Sequence, residues 1–107
     1  MFTDDQWIRI RKAGLDGTTA LYYLTTPNGA ASWVVFGCDD PAQRGDGDPD
    51  LTVLADLGWG DTEFGFVSID QLQSVGAEVY DTFEGVGKDL DWFEDRTDLF
   101  GLAREFV

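Results

Sequence analysis

Four short runs of apolar, β-branched and aromatic residues, bounded by turn residues, are the clearest pattern in the chain. They span residues 20–26, 32–37, 51–57 and 62–67. Runs of this length and composition predict strands. Pro27-Asn28-Gly29 separates the first two, and this combination of fixed and positive φ predicts a tight turn and therefore a hairpin. Gly58-Trp59-Gly60-Asp61 predicts a second turn between the last two.

Capping signals predict one helix before these strands and one after them. Thr3 with Gln6 three residues later forms a capping-box pattern and predicts a helix over residues 4–13, which Gly14 ends. Ser68 with Gln71 repeats the signal. The apolar residues that follow are spaced by three, as on one helical face, before a C-cap at Gly76: Ile69, Leu72 and Val75.

The rest of the C-terminal half is less regular. Val79, Tyr80 and Phe83 fit a continuing helix or a strand equally well, and a last helix is expected over residues 98–105. The predicted fold class is α+β: a single domain spanning residues 1–107, with an approximately four-stranded, mainly antiparallel sheet. A short N-terminal helix precedes the sheet and helices follow it.

The amino-acid composition supports a folded domain with a substantial core. Of the 107 residues, 43% are hydrophobic, including four Trp, eight Phe and three Tyr. Each aromatic residue buries roughly 150–250 Å². This content argues against disorder, which combines high charge with few aromatic residues.

Negative charge is concentrated in one part of the chain. The formal net charge is −14, yet residues 1–38 contain three acids and three bases, so the entire excess lies in residues 39–107. Such a field repels DNA, RNA and anionic membranes and attracts cationic surfaces. Direct nucleic-acid binding is not expected, because no basic patch is available to contact phosphates.

The side chains that support most catalysis are missing from the sequence. There is no histidine, which excludes Ser–His and Cys–His catalysis and removes the commonest zinc ligand. Cys38 is the single cysteine, and the neighbouring Asp39 and Asp40 oppose thiolate formation, so a buried or half-buried structural thiol is predicted rather than a reactive one. The sequence therefore predicts a protein that is not an enzyme.

Two motifs resemble ligand-binding loops but are incomplete. Gly85-Val86-Gly87-Lys88 resembles the end of a phosphate-binding loop, but Thr82 and Asp89 stand where that pattern requires Gly and Ser or Thr. In the loop of residues 39–50, alternate Asp residues resemble the start of a calcium loop that lacks its Gly and its distal Glu. A solvated loop is the expected interpretation, and a weak calcium site is the alternative. No cofactor, metal or small-molecule substrate is predicted.

Cellular location follows from the character of the N-terminus and from cysteine usage. The first twelve residues mix charged and apolar residues and contain no apolar signal core, and no run approaches the roughly 20 apolar residues of a membrane span. A single cysteine fits a reducing compartment. A cytoplasmic protein without membrane contact is expected.

The acidic C-terminal region is the predicted partner-binding site. Carboxylates spread over an aromatic frame could imitate phosphates and bind the basic groove of a nucleic-acid-binding protein or complex. The predicted contact residues lie within eighteen positions: Asp81, Glu84, Asp89, Asp91, Trp92, Phe93, Glu94, Asp95 and Asp98. A second acidic patch is predicted in the middle loop: Asp39, Asp40, Asp46, Asp48 and Asp50. Core packing is the alternative role for Trp92 and Phe93.

The negative charge is also consistent with two roles that involve no partner. The acids serve only solubility if the protein is a non-catalytic accessory domain. They reflect adaptation to high salt if the protein comes from a halophile, and sixteen Asp against five Glu, with five Arg against two Lys, suit that alternative.

Three segments share a pattern with one known group of proteins. The first segment is Leu24-Thr25-Thr26-Pro27-Asn28-Gly29, followed by Ser32-Trp33. The second is a strand that leads into a helix, Glu63-Phe64-Gly65-Phe66-Val67-Ser68-Ile69-Asp70-Gln71-Leu72. The third, which closes the pattern, is Asp89-Leu90-Asp91-Trp92-Phe93-Glu94. These segments resemble small uncharacterised proteins of plasmids, phages and other mobile elements. The resemblance covers residues 20–95.

The sequence departs from that family at two places. The middle loop is rich in Asp, and Lys88-Asp89 stands where the family has a basic residue in its closing segment. The resemblance implies neither an activity nor a site. It implies a mobile-element setting, where anti-CRISPR and anti-restriction inhibitors occur, many of which are small acidic mimics of nucleic acid.

Overall fold

Five strands form one sheet in which every neighbouring pair is antiparallel. The computed structural model describes residues 1–27, 31–39, 50–57, 62–80 and 87–93. The strands are β1 Tyr22–Thr25, β2 Ser32–Cys38, β3 Leu51–Asp56, β4 Thr62–Val67 and β5 Glu78–Tyr80. Their order across the sheet is β4-β3-β2-β1-β5, so β4 and β5 form its two edges.

The helices begin where the capping signals predict. Helix α1 spans Asp4–Ala13 and helix α2 spans Ile69–Ser74; a capping box precedes each one. Gly14, at φ 61°, ends α1 and begins a 3₁₀ turn, Gly14–Asp16. Helix α2 ends two residues before the predicted C-cap Gly76, which has a φ of 73°. A single helical turn, α3 (Leu90–Phe93), was not predicted.

Within the described residues the sheet has five strands and not about four, because residues 78–80 pair with β1. Tyr23 lies opposite Tyr80 and Leu24 opposite Val79. A three-residue strand is too short to show a period-two pattern, which is why the sequence left this region undecided between helix and strand. The structure thus confirms the α+β class. Within the described residues, only α3 follows the last strand. Three predictions fall outside the described residues: the helix over residues 98–105, the turn at Gly58-Trp59-Gly60-Asp61, and residues Asn28 and Gly29 of the first turn.

Two apolar clusters lie on opposite faces of the sheet because side chains alternate along each strand. On the first face, α1 and α2 cover residues such as Tyr22, Leu24 and Trp33. On the second face, residues 87–93 lie against Tyr23 and Phe36. The sheet is therefore the middle layer of three.

Strand β2 approaches the 3₁₀ turn so closely that glycine is required. A Cβ atom on Gly37 would lie 2.0 Å from the carbonyl oxygen of Gly14, and one on Gly17 would lie 2.1 Å from the carbonyl oxygen of Phe36. The register of β2 against β3 also shifts between Val35 and Gly37, as at a β-bulge. These contacts fix the C-terminal end of α1 against the sheet.

Among the described residues, no helix is long and apolar enough to cross a membrane.

Candidate partner-binding surfaces

Both predicted acidic regions attach to the sheet at the same end. At this end β1 begins, β2 ends, β3 begins, and β4 and β5 end. We call it the acidic end. The Asp-rich loop connects β2 to β3 here, and the acidic C-terminal region leaves the sheet here after Tyr80. The two regions are far apart in sequence, but the chain attaches both to the same end.

Hydrogen bonds close the base of the Asp-rich loop. The Asp39 amide donates to the Asp50 carbonyl oxygen at 2.9 Å, and the Asp50 amide donates to a carboxylate oxygen of Asp39 at 3.0 Å. Both residues are partly buried. Asp40, Asp46 and Asp48 of the predicted second patch lie outside the described residues. In the described part of the chain, no group of three Cys, Asp or Glu side chains is placed to hold a metal ion.

Asp89 is held at the acidic end by a short antiparallel pairing. It lies opposite Thr19, whose hydroxyl donates to its carboxylate at 2.9 Å. The Gly87 amide donates to the Ala20 carbonyl oxygen at 2.7 Å, and the Ala20 amide donates to the Lys88 carbonyl oxygen at 2.8 Å. Asp89 is exposed and so is available to a partner. The Gly87 amide is already bonded within the protein, which further separates this segment from a phosphate-binding loop.

Phe93 belongs to the core and is not accessible at the surface. The residue is 1% exposed, and its ring meets the Phe36 ring edge-on at a centroid distance of 5.8 Å. Phe93 therefore takes the core-packing role and is not part of the contact surface. Trp92 is only partly buried, and its ring centroid lies 4.9 Å from that of Phe93. Trp92 is accessible to a partner.

Three of the predicted contact residues lie within the short described segment 87–93: Asp89, Asp91 and Trp92. Asp91 lies in α3, directly before Trp92. Five other predicted contact residues lie outside the described residues: Asp81, Glu84, Glu94, Asp95 and Asp98. Asp89 and Trp92 are therefore the predicted contact residues that the described chain shows to be accessible.

Sequence reasoning missed an aromatic surface on the edge strand β4. Phe64 and Phe66 are 50% and 61% exposed, and the alternation of the strand places both on the second face of the sheet. The Phe64 ring lies 5.8 Å from the ring of Phe36, whereas Phe66 projects further from the core. The Phe-Gly-Phe pattern in the sequence could have indicated this surface. Gly inside a strand weakens it and often marks a site where a ligand or another backbone approaches closely.

A groove lies on the other face of β4, between the strand and α2. It has a volume of about 490 Å³, and Trp33, Val53, Ala55 and Val75 supply apolar parts of its lining. Glu63 supplies an exposed carboxylate to the same groove. Apolar pockets with few polar groups are the usual form of binding sites in proteins.

Two side chains with reactive groups have local structural roles. Cys38 is fully buried, as predicted for a structural thiol, and its Sγ lies 4.0 Å from the Ile10 carbonyl oxygen. The Tyr80 hydroxyl donates to a carboxylate oxygen of Glu78 at 3.0 Å. This hydrogen bond, with burial and the charge of Glu78, raises the pKa of Tyr80 above its ordinary value of 10.0.

Comparisons of the chain with known protein families, with curated proteins and with solved structures find no match. The resemblance to mobile-element proteins therefore stays a prediction.

Proposed function

We propose that the protein is a small cytoplasmic inhibitor that binds a basic, nucleic-acid-binding protein or complex. It acts without catalysis, by presenting carboxylates in place of phosphates. A target in a defence system, as for anti-CRISPR or anti-restriction proteins, fits the mobile-element resemblance. One observation carries the proposal: the two acidic regions leave and rejoin the sheet at the same end.

Attachment of both acidic regions to one end of the sheet supports the proposal because electrostatic attraction sums over nearby charges. The two predicted acidic regions, residues 39–50 and 81–98, together contain twelve acids and three bases. At ordinary ionic strength the Debye length is roughly 8–10 Å, so acids at one end of a small domain act together on an approaching cation. A groove that binds DNA or RNA gains affinity by neutralising phosphates, and carboxylates supply the same interaction.

Two of the described bases, Arg9 and Arg11, lie on the other side of the sheet from α3, whereas Lys88 is exposed directly beside Asp89 and offsets part of the negative charge there. The guanidinium of Arg11 lies 4.9 Å from the centre of the Trp7 ring, and that of Arg9 lies 6.0 Å from the centre of the Tyr22 ring. Both rings belong to the first face of the sheet, whereas α3 covers the second. The contact surface therefore consists of Asp89 and the accessible face of Trp92, together with the acids that flank them in sequence.

The test is a pull-down from lysate with the tagged protein at low and high salt. We expect one nucleic-acid-binding complex, which is lost in high salt and displaced by added DNA. Recovery of a partner that is indifferent to DNA and salt would contradict mimicry.

Charge reversal then tests the contact region. Changing Asp91, Glu94 and Asp95 to Lys should abolish partner binding while circular dichroism shows an intact fold. The matched control changes Asp4, Asp5 and Glu78 to Lys. All three acids are exposed, and the substitution alters the net charge equally. Asp4 and Asp5 lie in the first turn of α1, and Glu78 begins β5 at the opposite end of the sheet. Circular dichroism must show an intact fold for this variant too, because Glu78 accepts a hydrogen bond from Tyr80. Equal loss of binding in both variants would mean that total charge, and not this region, drives the interaction.

A further inference from the structure

The outer edge of β4 combines the features that a protein needs to accept an additional strand. Strand β4 pairs with β3 on one side, and its other side is an edge of the sheet formed by the described residues. Its two Phe side chains are half exposed or more. We propose that this edge binds an extended segment of the basic partner as a sixth, antiparallel strand. The choice of a basic partner rests on the proposed function.

The register of β4 specifies which partner residues fit. Residues directly opposite each other on neighbouring antiparallel strands lie on the same face of a sheet. Partner residues opposite Phe66 and Phe64 therefore lie beside these rings and should be apolar or aromatic. The residue opposite Glu63 lies on the groove face, where Lys or Arg would meet its carboxylate.

Gly65 opens a path from the edge of the sheet into the groove. It lies between the two Phe residues, on the groove face, and a Cβ atom built on it would have nothing within 4 Å. A partner side chain opposite Gly65 can therefore cross the strand and reach the apolar groove floor of Val53 and Ala55. The bound segment should read, from its N-terminus, apolar, large apolar, apolar, basic.

The charge of the protein distinguishes this occupant from a second copy. Antiparallel pairing of two β4 edges would bring together two chains that each have a net charge of −14. It would also add two Glu63 carboxylates to the interface without a cation from either strand. Like-charge juxtaposition opposes such a contact, whereas a basic segment is attracted by the same field.

The experiment selects ligands for the purified protein from phage-displayed random peptides in about 0.15 M NaCl, the physiological ionic strength. We expect an enriched consensus in the order apolar, large apolar, apolar, basic. In NMR spectra, the selected peptide should shift the amide signals of residues 62–67 and of Val75. A selection without a consensus, or shifts confined to other surfaces, would overturn the proposal.

Substitutions in β4 test the groove and the aromatic face separately. Gly65→Leu fills the groove with the protein's own side chain and should weaken the selected peptide about tenfold or more, because the bound segment loses burial of a large apolar residue. Phe66→Ser should also weaken it. Gly65→Ala is the matched control, since a methyl group leaves most of the groove open, and its affinity should stay close to that of the parent. Equal binding to Gly65→Leu and Gly65→Ala would refute insertion into the groove.

Backbone methylation of the peptide tests strand pairing directly. Only alternate amides of an added strand face β4. N-methylation at successive positions should therefore abolish binding at every second residue and leave the others with nearly full affinity. Loss at every position, or at none, would exclude an added strand.

Sedimentation of the protein alone tests whether a second copy occupies the edge. It should show a monomer, and a dimer that dissociates on Phe66→Ser would assign the edge to a second copy instead.

The inference and the proposed function can fail independently. If the peptide binds β4 but no salt-sensitive partner is recovered from lysate, the edge is a binding site and mimicry is wrong. If a partner is lost on charge reversal but binds Phe66→Ser and Gly65→Leu unchanged, mimicry stands and the edge proposal is wrong.

Discussion

Two glycines in the sheet have opposite surroundings. Gly37 is enclosed: its Cβ position is filled by the carbonyl group of Gly14. Gly65 is open and faces solvent across the groove. The same substitution should therefore have different effects at the two positions, because a new methyl group must displace backbone at one and meets nothing at the other.

We expect Gly37→Ala to destabilise the fold by about 1–3 kcal/mol or more. Gly65→Ala should change the free energy of unfolding by less than about 0.5 kcal/mol, or stabilise the strand slightly. Urea denaturation of both variants beside the parent protein measures the two effects. Similar losses in both variants would contradict the close approach of β2 to the 3₁₀ turn.

The Tyr80–Glu78 hydrogen bond should be visible in an alkaline titration. The neutral phenol donates to the carboxylate, so the folded state holds the proton more tightly than the unfolded chain and the pKa of Tyr80 is raised. The stabilisation from this pair is fully present below the ordinary tyrosine pKa of 10.0 and is lost as the pH rises through the folded pKa. Tyr80→Phe should therefore remove one late step from the ultraviolet absorbance titration of tyrosine. An unchanged titration of the variant would contradict the assignment.

At the scale of elements, the short helix α2 depends on its N-terminal cap. The Ser68 hydroxyl accepts from the Gln71 amide at 3.1 Å, and the Gln71 side chain accepts from the Ser68 amide at 3.0 Å. A six-residue helix has few internal hydrogen bonds, so these two contribute a large share of its stability.

Ser68→Ala should cost about 1 kcal/mol, within the range of roughly 0.5–2 kcal/mol for lost caps. Ser74→Ala is the control, because its exposed hydroxyl donates to the Gln71 carbonyl oxygen at the other end of the helix. We expect its effect to be smaller. Thermal unfolding measures the loss of stability in both variants. Equal losses would mean that the cap stabilises α2 no more than the Ser74 hydrogen bond does.

Helix starts and the first four strands could be predicted from local chemistry. Thr3 and Ser68 bond to residues three positions away, so the information lies within one turn of chain. Strand β5 could not be predicted in this way, because its three residues become a strand only through pairing with β1. The exposed edge of β4 depends likewise on strand order, which no local pattern encodes.

Candidate contact residues divide in the same way. The density of acids is visible in the sequence, but the attachment of both acidic regions to one end depends on Tyr80 ending β5 at the end of the sheet where β2 leads into β3. The burial of Phe93 against Phe36 could not be predicted from the sequence either, because an aromatic residue among acids suits a core and an interface equally well.

For the whole molecule, the response to salt separates a binding surface from salt adaptation. The Debye length falls from about 30 Å at 0.01 M to about 3 Å at 1 M, which relieves self-repulsion of a chain with a net charge of −14. For a charged binder, we expect a protein that is folded at physiological ionic strength and whose melting temperature rises only a few degrees in molar salt. Calorimetry measures this rise. A protein that folds only in molar salt would favour the halophilic alternative.

The strand order also sets the sequence in which the sheet can assemble. Strands β1 to β4 are consecutive neighbours, so each pairing closes only the connection between adjacent strands. Strand β5 must instead wait until α2 has carried the chain from one edge of the sheet to the other, which closes a much longer loop. The β1–β5 pairing should therefore form last and open first. Its amide protons should exchange with solvent before those of β2 and β3, leaving a four-stranded meander as the persistent part of the fold.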